Sequence, residues 1–303
     1  MSTDKPDLNG KSCGRAFVDL HSHSTASDGT FAPADVMRLA KKSGLTGLAL
    51  TDHDTIAGIA EAAAEAEKVG ITFLPGIEIS AVPPIDNGTL HILGYGIDPA
   101  SPILTAMTRA LIEARDNRNP QIITRLRELG IDISMDEVLA QANGGVLGRP
   151  HIAAVLVRKG VVPTIKQAFN EYLGQGGKAY FDKERLAPRA AISRIRESGG
   201  VAVLAHPVQL RTTNDAQLER ALKDLVDLGL QGIEVIHSDH SDEMVKKYSK
   251  LAERFGLLKS GGSDFHGKNK KDIQLGVANG NRVPAEWMER IAARTTGNHK
   301  NKS

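Results

Sequence analysis

Short apolar runs and longer amphipathic stretches alternate through the first hundred residues. The runs at 16–18, 45–50, 71–74, 77–79 and 90–95 are of strand length and rich in Val, Ile and Leu. After Pro33, Val36, Met37, Leu39 and Ala40 recur at helical spacing until Gly44; a second helical stretch covers 56–69 and stops at Gly70. Proline at a helix start and glycine just past its end are the expected boundaries. Strand-length runs separated by helices predict parallel βα units. The pattern resumes with 201–204, 232–236 and 257–260. In such folds functional groups collect at the carboxyl ends of the strands.

Between 99 and 180 the rhythm breaks, and no strand pattern is found. Helical runs at 102–129, 135–142, 149–159 and 163–173 are separated by glycine and proline, as at Gly144-Gly145 and Gly148-Arg149-Pro150. This predicts a helical insertion that folds as a cap over the mouth of a barrel. The expected organisation is an α/β barrel from 14–98 and 181–295, a helical cap from 99–180, and flexible termini at 1–13 and 296–303. No internal repeat or low-complexity tract is found.

A chain of 303 residues fits one large domain or roughly two ordinary ones. Apolar residues make up 41% and aromatics only 4%, so the core must be built mostly of Ala, Val, Leu and Ile. A net charge of +2 argues against a broad nucleic-acid-binding face. Lys268, Lys270 and Lys271 read as solvated surface. The single cysteine, Cys13, excludes an intrachain disulfide framework and fits a reducing compartment. No apolar run is long enough to span a membrane, and the amino-terminal residues lack the apolar core of a secretion signal. A soluble cytoplasmic protein is expected.

The chemistry starts at Asp19-Leu20-His21-Ser22-His23, directly after the first strand. Residues two apart on a strand face the same side, so the two imidazoles project together and can share one divalent ion. His21, His23, Asp28, His53, Glu78, His91, His206, Asp264 and His266 are the candidate ligands. Eight fall at or beyond a strand end, and His91 lies within a strand. Six of the ten histidines are in this set, a concentration that chance placement does not produce. Glu78 sits between Ile77 and Ile79, where an unpaired carboxylate is costly to bury; two cations sharing its oxygens would remove that cost. Asp52 or Asp54 reads as the cap of the following helix, Asp54 by preference. Arg149 and His151 open a helix after a glycine turn, an arrangement suited to phosphate. Arg118, Lys178, His237 and His240 are further candidates for contact with a substrate. Oxygen and imidazole donors without cysteine suit Mn²⁺, Fe²⁺ or Zn²⁺.

The segments HSHSTASDGT, LTDHDT, PGIEIS, LHILGYG, LAHP and GGSDFH, in this order, resemble the PHP metal-dependent phosphoesterases. The resemblance implies a distorted (β/α)7 barrel with a two- or three-metal centre. It implies that His21, His23, Glu78 and Asp264 hold a first ion, and that Glu78, as bridge, holds a second with His91 and His206. Asp28, His53 and His266 form a third cluster; some relatives have histidine at the position of Asp28. Asp28, His53, His206, Asp264 and His266 are implicated in catalysis, and Mn²⁺ is the implied metal. Within the insertion, RDNRN, GRPHIA and AFxxYL resemble the branch that dephosphorylates 3′,5′-nucleoside bisphosphates, which includes relatives that trim short RNA from the 5′ end. The implied partners are a small phosphorylated nucleotide and short RNA. A histidinol-phosphate phosphatase or a broader small-phosphoester hydrolase is the alternative enzyme. A non-catalytic metal-binding module is disfavoured by the completeness of the ligand set.

Overall fold

The computed structural model describes residues 16–85, 88–142, 144–182 and 184–295; Cys13 and both terminal segments expected to be flexible lie outside the described residues. The first part runs β1 (Phe17–Asp19), α1 (Pro33–Lys42), β2 (Gly47–Leu50), α2 (Ile59–Val69), β3 (Thr72–Ala81) and β4 (Leu90–Tyr95). Four helices follow: α3 (Pro102–Glu128), α4 (Met135–Ala142), α5 (Arg149–Arg158) and α6 (Ile165–Ala168). The chain then runs α7 (Pro188–Glu197), β5 (Val201–Leu204), α8 (Asp215–Asp227), β6 (Gly232–Ile236), α9 (Asp242–Arg254) and β7 (Leu258–Gly261). It ends with β8 (Val283–Pro284) and α10 (Ala285–Ala292).

All eight strands join one sheet in the order β7-β6-β5-β4-β3-β2-β1-β8. Backbone bonds carry the β1 exit across to the β7 exit: Leu20 N–H donates to Gly261 O, Asp264 N–H to His21 O, and His23 N–H to Phe265 O. The sheet is thereby a nearly closed barrel, and the expected α/β class holds. The strand region expected over 71–74 and 77–79 is one continuous ten-residue strand, β3, with Glu78 near its end. Gly76 in its middle lets it pass β2, since a Cβ there would stand 2.8 Å from the Thr51 side chain and 2.9 Å from Leu50 O. β4 is antiparallel to both β3 and β5 rather than parallel. Among its described residues the connection between β3 and β4 contains no helix, and so short a link turns the chain back on itself.

Local chemistry supports these elements. Pro33 begins α1, Asp35 lies in its first turn and Lys41 and Lys42 in its last, each sign suiting its end of the helix dipole. The Ser241 hydroxyl caps α9 by accepting from Met244 N–H. The main apolar cluster fills the barrel, from Val18 and Leu20 through Ile77, Ile79 and Ile92 to Val203 and Ile233. The helices between β4 and α7 gather a cluster of their own, including Ile122, Leu126, Ile152, Leu156 and Leu173. No helix among the described residues is long and apolar enough to cross a membrane.

Candidate metal centre and anion pocket

All nine residues expected at the metal centre come together at one end of the barrel. His21 and His23 leave β1 on either side of Ser22, with ring centroids 5.2 Å apart. The chain after β7 passes so close that a Cβ on Gly262 would stand 2.3 Å from His21 N. Glu78, from β3, lies at the middle. Its Oε2 is 3.2 Å from His21 Nε2, 3.2 Å from His23 Nε2 and 3.1 Å from His53 Nδ1. Its Oε1 is 2.7 Å from His91 Nδ1 and 3.0 Å from His206 Nε2. One carboxylate thus faces five imidazoles, three on one oxygen and two on the other. Asp264 Oδ1 lies 3.6 Å from His21 Nε2 and 3.4 Å from His23 Nε2. Asp28 Oδ1 is 3.2 Å from His266 Nε2, and its Oδ2 is 3.9 Å from His53 Nε2.

The donor set fits divalent cations. Both ring nitrogens of His23 and Nδ1 of His53 are buried and make no hydrogen bond, although carboxylate oxygens lie close by. Nitrogens and oxygens converge on shared volumes rather than pairing, and several groups bring three or more ligand atoms within 4.8 Å of one another. The protonation states agree. Burial resists charge on Glu78, but the imidazoles of His53, His91 and His21 outweigh it and hold the carboxyl well below its usual range. Asp28, buried beside His266 and His53, and Asp264, buried beside Lys270 and His266, are likewise held well below theirs. Burial pushes His53 down to about 3 and also lowers His206 and His266. Burial opposes charge on His23 too, but Asp264 and Glu78 raise it to about 9. Against the effect of burial, carboxylates likewise raise His21 well above its usual value. Anionic carboxylates and the neutral imidazoles of His53, His206 and His266 are what a cation takes as ligands, and its arrival displaces the protons held on His21 and His23.

Beside this cluster lies a cavity of about 530 Å³. Asp28, His53 and His91 line it, together with Arg115, Arg118, Arg149, Arg185 and Arg211 and the rings of Phe169 and Tyr180. Arg118 is buried; its guanidinium donates to Asn119 Oδ1 at 3.0 and 2.8 Å. Burial, with Arg149 and Arg115 nearby, pushes Arg118 down to about 9. Arg149 opens α5, donates to Leu173 O at 2.9 Å and lies 5.3 Å from the Tyr180 ring centroid.

Four expected substrate contacts do not line this cavity. His151 is turned inward, where Nδ1 accepts from Gly148 N–H at 3.0 Å and closes the first turn of α5. Lys178 is exposed, its ammonium 5.4 Å from the Tyr172 ring centroid. His237 Nε2 faces Asp264 Oδ2 at 3.3 Å. His240 folds beneath the end of β6, donating from Nδ1 to Val235 O at 2.9 Å and packing on Tyr248.

Three further positions depart from the sequence-based expectation. Asp54 does not cap α2, whose first turn starts at Gly58. It takes a left-handed backbone, φ 58°, and its carboxylate accepts from Ser80 N–H at 2.8 Å and Arg115 Nε at 3.0 Å. Asp52 accepts from Ser24 and Ser27 at 2.6–2.8 Å and caps nothing. Lys270 is not free surface. A short turn after His266 brings its ammonium onto Asp264. Glu234 was missed, although Ile233-Glu234-Val235 repeats the buried-carboxylate signal of Ile77-Glu78-Ile79. Burial opposes its charge, but His21 and His237 outweigh this and hold it at about 2. Arg185 and Arg211 carry no such local signal.

Comparison with known proteins gives a consistent picture. A family model described as the PHP domain matches residues 19–182. The 3′,5′-nucleoside bisphosphate phosphatase of Chromobacterium violaceum is 38% identical over 85% of this chain and 90% of its own. The 5′-3′ exoribonuclease of Haemophilus influenzae is 37% identical over 82% of this chain and 89% of its own. A solved structure of an amidohydrolase from Chromobacterium violaceum, with bound sulfate and no metal, superposes with a TM-score of 0.81 at 36% identity, covering 92% of this chain and 97% of that one.

Proposed function

The chain belongs to the PHP-domain family of metal-dependent phosphoesterases, and we propose that it removes the 3′-phosphate of nucleoside 3′,5′-bisphosphates, leaving the nucleoside 5′-monophosphate. One observation carries this: residues of the metal centre and five arginines line the same cavity. A monophosphate needs only the metal end. A second anion on the same molecule gives Arg118 and Arg149 a counter-charge and relieves the repulsion between them.

His21, His23, Glu78 and Asp264 would hold one divalent ion, and Glu78, His91 and His206 a second. Asp28, His53 and His266 would hold a third. With oxygen and imidazole donors, Mn²⁺ is the ion we assign. Such ions lower the pKa of water towards neutrality and offset charge on the phosphoryl oxygens. The protein does the rest by placement. His53 and His91, 17% and 18% exposed, face the cavity where the ester would lie. His53 and His266 are held neutral by burial, which suits ligands better than proton donors. Arg118 and Arg149 would take the 5′-phosphate and so decide which ester faces the metal residues.

The test is phosphate release by metal-stripped protein resupplied with Mn²⁺. Adenosine 3′,5′-bisphosphate, AMP, histidinol phosphate and a short 5′-phosphorylated RNA would be compared. Rapid release from the bisphosphate with AMP left intact is expected. Preference for histidinol phosphate would overturn the role of the arginines while keeping the metal centre. Preference for the RNA would assign the same 5′-phosphate pocket to the end of an oligonucleotide.

A further inference from the structure

Glu234 lies on β6, fully buried, outside the cavity and outside the ligand sets proposed above. Each of its oxygens has a separate partner. Oε1 is 3.0 Å from Nδ1 of His21, and Oε2 accepts the backbone N–H of His206 at 2.7 Å. A carboxylate has no proton to offer, so the first bond requires a proton on His21 Nδ1. Nε2 faces carboxylates as well, Glu78 Oε2 at 3.2 Å and Asp264 Oδ1 at 3.6 Å; it is the nitrogen that would give up its proton and offer a lone pair when a cation enters between them. His206 has φ 23°, sparsely populated for any residue but glycine, and its backbone N–H is the atom that Glu234 holds. Its Nε2 reaches the other oxygen of Glu78, at 3.0 Å.

We propose that Glu234 is the positioning residue that fixes the tautomer of His21 and the backbone of His206, and so readies a ligand on each oxygen of Glu78. The proposal rests on the metal-centre reading above. It makes one buried carboxylate responsible for ligands from two elements, the exit of β1 and the turn after β5. Glu234→Gln keeps the shape and breaks the logic. If its amide oxygen accepts from His206, its NH₂ faces His21 Nδ1 and drives the imidazole proton onto Nε2, where the cation must bind. If the amide is flipped, two donors meet at His206 N.

The experiment is competition with a chromophoric chelator for Mn²⁺ and Zn²⁺, on wild type and E234Q, with folding followed by circular dichroism. A partner of this kind is worth about 10–100-fold in metal affinity, and that is the loss expected. Uptake by E234Q equal to wild type would overturn the positioning role alone. A wild type that takes up no divalent ion would remove the metal reading and this inference together. Loss of one ion per chain with the others at wild-type affinity would make Glu234 a ligand, which also overturns the proposal. Should E234Q not fold, nitrogen NMR of Zn²⁺-loaded wild type answers the question. His21 protonated at Nδ1 supports the proposal, and His21 protonated at Nε2 overturns it.

Discussion

A single carboxylate facing five imidazoles concentrates negative charge where only cations or protons can answer it. Glu78→Gln removes that charge with almost no change of shape. Divalent-ion affinity and phosphate release should both fall, each by about 100-fold or more, since a direct ligand should cost at least as much as an outlying partner. Metal content per chain after dialysis checks the first and turnover the second; a variant that keeps both would remove Glu78 from the centre. Arg118 poses the opposite question, a buried cation crowded by cations. Arg118→Met should raise KM for the bisphosphate about 10–100-fold, the scale of a lost charge-assisted hydrogen bond of about 1.5–3 kcal/mol. Release from 3′-AMP, which has no 5′ anion, should be unchanged. Loss of both activities alike would mean that Arg118 supports the fold and not the second phosphate. At this scale the sequence is legible where a charge interrupts an apolar run, as at Glu78 and Glu234. It misleads where one residue type serves two ends: Asp54 before a helix looks like a cap, and only the arrival of Arg115 from α3 makes it an ion pair. His151 likewise opens its helix as expected, but which way its ring turns depends on what packs beside it.

Elements bring these residues together, and α3 is the one that joins the two apolar clusters, with Leu104, Met107 and Leu111 in the first and Ile122, Ile123 and Leu126 in the second. It is 27 residues long with Pro120 inside, and it buries Arg115, Arg118 and Asn119 on one side. Arg115 is anchored to Asp54, which also holds the Ser80 amide two residues beyond Glu78. The tie therefore links the arginine pocket to the strand that carries the central carboxylate. Breaking a buried pair on one side leaves an uncompensated charge and costs about 3–5 kcal/mol. Asp54→Asn should lower unfolding free energy by about that much in urea titration, and the double variant with Arg115→Met should recover part of it. A double variant no better than the single one would mean that Asp54 acts mainly through Ser80. The βα rhythm, the helices between β4 and α7 and most strand ends that carry the proposed ligands could be read from periodicity. Strand direction could not be read for β4, because pairing sense depends on the connection rather than on the strand's own residues. β8 escaped notice because two residues, Val283 and Pro284, carry no period at all.

At the scale of the molecule, the helices between β4 and α7 and the barrel have separate apolar clusters, and the cavity is lined by residues from both. A ligand with one anion can engage one side only; a ligand with two, suitably spaced, ties both together, and the second contact is made at high effective concentration. A bisphosphate whose 3′ ester is replaced by a non-hydrolysable phosphonate allows this to be measured without turnover. In metal-stripped protein the 3′ end has no cations to meet, so the analogue and AMP should raise the melting temperature equally, through the arginines alone. With Mn²⁺ restored, the analogue should pull ahead. An affinity about 100-fold tighter than that of AMP corresponds to about 2.7 kcal/mol, enough to shift melting by several degrees at saturating ligand. An analogue that never exceeds AMP in the loaded protein would show that the arginines and the metal residues share a cavity without sharing a substrate. The bisphosphate assignment would then give way to a monoester, with the phosphoesterase centre intact.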